Sequence, residues 1–218
     1  MEGDTGLDAT AVAWIFASYV IGSIPFGLLV SMLLFKQDLR KLGSGNIGAT
    51  NVLRNFGVKP FIAVMLLDMA KGVAAVAIGR ALGLDPNLSL LAGLASIIGH
   101  NWSIFLGFKG GKGIATSGGV IIAAYPWQVT VAVLGMFVLV VLLTRIMSVA
   151  SMSAAVTFTV ATFIAFWGEW AEKWAFMVIA VVGAALAIYQ HRANIKRLFK
   201  GEEPKIGKRK AQTSEAEE

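Results

Sequence analysis

The chain has 218 residues, 56% hydrophobic and only 15% charged, with a formal net charge of +6. A soluble domain of this length cannot bury so much apolar surface, so lipid is the solvent that accounts for it; the charge then reads as loops held at anionic headgroups, not as nucleic-acid binding. The absence of cysteine excludes disulfides, thiolate nucleophiles and cysteine-ligated metals, and two histidines argue against a multi-histidine metal site.

The first ten residues carry Glu2, Asp4 and Asp8 but no Lys or Arg, unlike the basic start of a cleaved leader. About 20 apolar residues cross the hydrocarbon core as a helix. Candidate spans are 11–35, 61–81, 88–108, 127–144, 149–166 and 174–189. The stretch 114–125 is shorter: as a helix it rises only about 18 Å, so it is tilted, locally thinned over or partly re-entrant.

With seven crossings and the N-terminus outside, sixteen of the nineteen Lys and Arg fall inside; Arg80 and Lys173 fall outside, and Lys71 lies in a span. Merging 114–144 into one helix would put the eight basic residues of the tail outside, against the positive-inside rule. Losing two spans would keep the same sides. The expected fold is therefore all-α: a polytopic integral membrane protein with seven short transmembrane helices. Residues 1–10 are expected outside, 11–195 form one transmembrane domain, and 196–218 form a cytoplasmic tail, basic then acidic, with the composition of a disordered segment.

In chain order, Gly22-Ser23-Ile24-Pro25-Phe26-Gly27 interrupts the first span, as a bend or a close helix contact. The first inside loop, 42–51, holds Gly43, Gly45 and Gly48 among Ser44, Asn46, Thr50 and Asn51, with Arg54 following. Glycines permit close backbone approach and positive φ, and the polar side chains offer donors and acceptors. The loop suits a polar ligand; a solvated loop built of Asn and Ser turns explains it equally. Asp68 and Lys71 are one turn apart inside a span, which reads first as a neutralised structural pair.

His100, in Gly99-His100-Asn101-Trp102, is expected to satisfy a backbone partner, with substrate binding as the alternative. The second inside loop reads Lys109-Gly110-Gly111-Lys112-Gly113 and opens a helix. Glycine amides, a helix N-terminus and lysine make an anion site, although the spacing of a nucleotide-binding P-loop is missing. A tight turn whose lysines anchor headgroups would not need three glycines. Ser148 and Ser151 share a face of the next helix but one, where small hydroxyl residues help helices pack. The last cluster is His191-Arg192-Ala193-Asn194, with His191 and Asn194 on one face; Lys196, Arg197 and Lys200 read as snorkelling headgroup anchors. Neither histidine is followed five residues on by an aspartate, so the His-x4-Asp dyad of the common acyl-CoA acyltransferases is absent.

Together, in order and spacing, Gly43–Asn51, Gly99–Gly113 and His191–Leu198 resemble the bacterial acyl-phosphate:glycerol-3-phosphate acyltransferases, the PlsY type, over about residues 21–205. The resemblance implies acyl transfer from acyl phosphate to the 1-hydroxyl of sn-glycerol 3-phosphate, giving lysophosphatidate and inorganic phosphate. It implies no bound cofactor, a site on the cytoplasmic face of the bacterial inner membrane, and an upstream enzyme that makes acyl phosphate. On this reading Lys112 with Gly110, Gly111 and Gly113 takes one phosphate. His191, Arg192 and Asn194 take the other. Ser44, Asn46, Thr50 and Asn51 line the site; Ser44 stands with His191 and Lys112 as a catalytic candidate, an acyl-serine on it being conceivable although no His or acid is adjacent in sequence to activate it; Arg54 adds charge, and Ser148 is a looser candidate. His191 is either a general base or an orienting group for a substrate-assisted reaction. The competing readings are a transporter or flippase for a phosphorylated metabolite and a membrane scaffold.

Overall fold

Asp8 starts the first helix by accepting the Ala11 amide at 2.7 Å, in a computed structural model that describes residues 8–207. Glu2, Asp4 and the end of the tail from Lys208, with Glu215, Glu217 and Glu218, lie outside the described residues. Helix α1 (Ala9–Ser23) stops at Ile24-Pro25, and α2 (Phe26–Phe35) begins on the other side. A proline here lacks the amide that a continuous helix would need. The interruption is also a close contact: a Cβ on Gly22 would collide with the Ser96 carbonyl, and one on Gly27 with that of Ile47.

The first polar loop contains a helix that the composition did not announce. This is α3 (Ala49–Phe56), whose buried face is Asn51 and Val52. After it run α4 (Val58–Ala81) and α5 (Pro86–Asn101). Asp85 caps α5 through the Asn87 and Leu88 amides, with Pro86 in the first turn, where its missing amide costs nothing. Helix α5 ends at Asn101, short of the predicted 108; a 3-10 turn, Ile104–Leu106, follows. Then come α6 (Ile114–Ala124), α7 (Trp127–Thr144), α8 (Met147–Ala165), α9 (Trp174–Gln190) and α10 (Arg192–Phe199).

Five segments are long and apolar enough to cross a membrane: Ala9–Phe35, Val58–Ala81, Pro86–Leu106, Trp127–Thr144 and Met147–Ala165. A sixth is the pair Trp174–Gln190 and Arg192–Phe199, bent by 56° at His191. The 11-residue α6 is apolar but short. As far as residue 207 the disorder expected from 196 onward is replaced by order: α10 continues to Phe199, and the Ile206 amide donates to the Arg145 carbonyl at 2.8 Å. Composition missed this because the ordering comes from contacts distant in sequence.

Small residues set the crossings. Gly99 packs on the Tyr19 carbonyl between α5 and α1, and Gly72 and Gly119 bring α4 and α6 together at the Thr116 and Met69 carbonyls. In lipid, where apolar surface is not expelled, such close backbone packing drives helix association. Helix α7 is the most outward-facing, with Leu134, Val138, Leu142 and Leu143 exposed. The core between the others is built from Val76, Leu90, Ile97, Val120, Tyr125 and Phe158.

Candidate active site

The thirteen predicted site residues, Ser44, Asn46, Thr50, Asn51, Arg54, Gly110, Gly111, Lys112, Gly113, Ser148, His191, Arg192 and Asn194, all line one cavity of about 580 Å³. Its centre is Lys112, which donates to Asn194 Oδ1. An ammonium has three protons, so two remain for a ligand. Asn194, 4% exposed, uses its other end to donate to Glu203 Oε1 at 2.6 Å. Ser148 donates to the same oxygen at 2.8 Å, and Arg197 Nε donates to Glu203 Oε2 at 2.7 Å.

His191 lies beside this chain at the bend between α9 and α10 and is 2% exposed. Its Nδ1–H donates to the Ala187 carbonyl at 2.7 Å, which assigns the tautomer and leaves Nε2 as an acceptor. Burial first, then the charge of Lys112, pushes its pKa down to about 4. The ring is therefore neutral at physiological pH. Burial also lowers Lys112, to about 8, with Arg197 and Arg54 pushing the same way and Glu203 opposing them. Burial would raise the Glu203 carboxyl, but donors from Asn194, Ser148 and Arg197 outweigh it and hold it below the usual range. The cations Lys112, Arg54 and Arg197 thus face one carboxylate. This is an anion site with positive charge to spare.

A sequence profile of the glycerol-3-phosphate acyltransferases matches residues 12–201. The chain belongs to the glycerol-3-phosphate acyltransferase family. It is 40% identical over 205 residues to a glycerol-3-phosphate acyltransferase of Prochlorococcus marinus, covering 94% of this chain and 98% of that one. It is 44% identical over 207 residues to that of Synechococcus sp. (strain JA-3-3Ab), covering 92% and 98%. Its fold is similar to crystal structures of PlsY (YgiH), an integral membrane glycerol 3-phosphate acyltransferase. The glycerol 3-phosphate form gives a TM-score of 0.83 at 38% identity, covering 91% of this chain and 96% of that one. The lysophosphatidic acid form gives 0.80 at 36%, with the same coverage.

Around this cavity several predicted residues make contacts other than those expected. Asn51 is 2% exposed and is spent on its own loop. Its Nδ2 reaches the carbonyls of Leu39, Leu42 and Asn46 at 2.9–3.3 Å, and its Oδ1 accepts the Ser44 amide at 3.1 Å. It shapes the loop and is not free to bind a ligand. Asn46 forms a turn through the Gly48 amide at 2.9 Å, so the turn explanation holds for this side chain although it borders the cavity. Ser44 lies exposed at the rim, accepting the Asn46 amide at 3.4 Å and making no donation among the described residues. Thr50 and Arg54 border the cavity from α3.

The glycines of 110–113 are required by packing as much as by any ligand. A Cβ on Gly110 would collide with the His100 carbonyl, and one on Gly111 with His100 Nε2. The Gly111 amide donates to the His100 carbonyl at 3.0 Å and so is not available to an anion. Gly113 has φ +74°, a conformation that suits glycine, and starts α6 without a side-chain cap. The first-turn amides of α6 thus open beside Lys112.

Two arginines exchange roles. Arg192, expected to bind phosphate, is exposed at the rim; it stacks on the Tyr189 ring at 4.4 Å and donates to the Tyr189 carbonyl at 3.2 Å. Arg197, expected to anchor headgroups, holds Glu203. Ser148 is also turned to the Glu203 carboxylate instead of offering its proton to a bound phosphate. Sequence reasoning missed Glu203 altogether. The signal available was the Glu202-Glu203 pair inside an otherwise basic run, and the i, i+3 relation of Asn194 to Arg197.

His100 has polar partners in place of the expected backbone one. Its Nδ1 lies 3.1 Å from Lys71 Nζ and 3.5 Å from Asp68 Oδ1. The Lys71 ammonium also meets Asp68 Oδ1 at 2.8 Å and the carbonyls of Gly22 and Ile24 at 2.9 and 3.0 Å. The in-span pair therefore also ties down the break between α1 and α2.

Proposed function

We propose that this chain transfers a fatty acyl group from acyl phosphate to the 1-hydroxyl of sn-glycerol 3-phosphate, releasing lysophosphatidate and inorganic phosphate. The observation that carries the reading is the two-ended cavity. Lys112, His191 and Arg54 border one end; Ile121, Val133, Phe137 and Phe158 line its apolar continuation. Phosphates need the first end and an acyl chain needs the second.

Lys112, with the first-turn amides of α6 and the charge of Arg54, holds phosphate. The glycerol hydroxyl, accepted by His191 Nε2, attacks the acyl carbonyl carbon. A new ester C–O bond forms, and the C–O bond of the mixed anhydride breaks. Phosphate is a good leaving group, so orientation and charge stabilisation carry the rate. A histidine held near pKa 4 is a poor store for a proton at neutral pH. The proton therefore ends on a phosphate oxygen, and His191 orients. Ser44, at the rim, offers a hydroxyl hydrogen bond.

We place seven crossings in the membrane, α6 included, with the polar end of the cavity at the cytoplasmic face of the bacterial inner membrane. The bias of Lys and Arg supports this. A soluble enzyme that forms acyl phosphate would be the upstream supplier. The test is purified protein with labelled sn-glycerol 3-phosphate and either palmitoyl phosphate or palmitoyl-CoA. Lysophosphatidate is expected from the acyl phosphate alone; product only from the CoA ester would overturn the donor.

A further inference from the structure

The apolar part of the cavity is lined by the rings of Tyr125 and Phe158 and by Val133, Phe137 and Ile179, and the lining that α8 and α9 contribute between Phe158 and the polar end is made of small side chains. On α8 these are Ser151, Ala154 and Ala155, ending at Phe158; on α9 they are Ala187, Ala184 and Gly183. The floor is braced. Tyr125 donates its hydroxyl to the Phe176 carbonyl at 2.9 Å and meets the edges of Phe158 and Phe176 at centroid distances of 4.8 and 5.3 Å. Phe158 is 8% exposed and Tyr125 6%. Rings locked edge-to-face by a hydrogen bond and mutual packing do not yield readily to a longer ligand.

The depth follows from the helices. Ser148 to Phe158 along α8 is ten residues, and Gly113 to Tyr125 along α6 is twelve. At about 1.5 Å per residue these give about 15 and 18 Å. The chamber therefore runs about 15–18 Å along these helices, with Tyr125 at the far end of α6.

We propose that Phe158, backed by Tyr125, sets the longest acyl chain this enzyme accepts, so that the fold measures the chain it delivers. The proposal rests on the acyl-transfer reading above and adds which residues decide chain length. Two glycines supply the means of testing it without opening a hole in the core. A Cβ at Gly118 meets nothing within 4 Å, and one at Gly183 meets only Phe158 Cε1, at 4.0 Å. Both line the cavity. A larger side chain at either extends into the chamber, at Gly183 just above the floor and at Gly118 nearer the polar end.

The experiment compares wild type with Phe158→Ala, Gly183→Leu and Gly118→Leu. Initial rates are measured with decanoyl, myristoyl, palmitoyl, stearoyl and arachidoyl phosphate and saturating sn-glycerol 3-phosphate, with Gly135→Ala, on α7 and outside the cavity lining, as control. Phe158→Ala is expected to raise the arachidoyl-to-palmitoyl ratio by about tenfold or more, the discrimination a hydrophobic pocket gives per misfit. Gly183→Leu lowers the palmitoyl-to-decanoyl ratio, and Gly118→Leu lowers it further. Gly135→Ala keeps the wild-type profile. If Phe158→Ala does not fold, the order of the two leucine variants decides. Active variants with the wild-type profile would overturn the proposal and leave acyl transfer standing. Loss at every length, decanoyl included, would also overturn it, because a floor spares chains that end above it. Wild type inactive with every chain would remove the acyl-transfer reading itself.

Discussion

Two charged clusters border the same cavity, and they differ in how far they are satisfied. In the first, Lys71 has three protons and four acceptors within 2.8–3.1 Å: Asp68, the Gly22 and Ile24 carbonyls, and His100. Nothing is left over for a ligand. In the second, Lys112 bonds only Asn194 among the described residues, and Arg54 and Arg197 add charge that Glu203 does not cancel. A buried cation whose donors are all taken fixes structure; one with spare donors and spare charge binds. The two are also joined, because His100 of the first is the surface on which Gly110 and Gly111 of the second pack.

The largest effect expected from breaking this contrast is on the second cluster. Lys112→Ala should lower kcat/KM for glycerol 3-phosphate by about 10³-fold while the protein stays folded, the scale for losing a preorganised donor to developing charge. The pH profile sharpens it. A lysine held at about 8 is charged below that pH and loses its proton as pH rises through it. The alkaline limb of kcat/KM should therefore fall above about pH 8, and Lys112→Arg should move that limb out of range. A flat profile to about pH 10, an activity of about wild type in Lys112→Ala, or both, would take the phosphate from this residue.

The first cluster should answer in stability. Lys71→Met leaves the Asp68 carboxylate buried without a cation, which costs about 3–5 kcal/mol. Thermal unfolding in detergent should show a large drop. Asp68→Asn with Lys71→Met should recover most of it, because removing both charges removes the uncompensated one. Failure of the double variant to recover would mean that the carbonyls of Gly22 and Ile24 need the ammonium more than Asp68 does.

A smaller effect separates a base from an orienting group. His191→Gln keeps a hydrogen-bonding end at the site. It should reduce kcat by no more than about tenfold, below the roughly 10²–10⁴ typical of a lost general base. Near-complete loss of turnover with glycerol 3-phosphate binding intact would restore His191 as the proton acceptor.

What the sequence made legible follows from which forces are local. Spans were readable because lipid thickness imposes a length and an apolar composition on each helix, and the motifs because their side chains are polar where lipid would forbid it. Which member of a motif points inward was not readable. Asn46 and Asn51 differ by five positions in one loop, yet Asn51 alone is buried and consumed by three carbonyls. The early end of α5, with its following short turn, and helix α3 were missed because turns and tertiary contacts decide them. Glu203 was missed because the chain must first leave α10 and return, a path set by contacts with Ser148, Asn194 and Arg197.

The arginine exchange gives the smallest and sharpest test. Arg192 is one position from His191 and two from Asn194, so it shares a helix face with neither, whereas Asn194 and Arg197 are i, i+3 on α10 and share one. Arg197→Ala should lower activity by about tenfold, because Glu203 loses one of its donors and the site one of its cations. Arg192→Ala, exposed and stacked on Tyr189, should change it by less than about twofold, as surface substitutions usually do. The reverse order would mean that Arg192 swings from Tyr189 into the cavity when substrate arrives, and that the bend at His191 is a hinge and not a fixed corner.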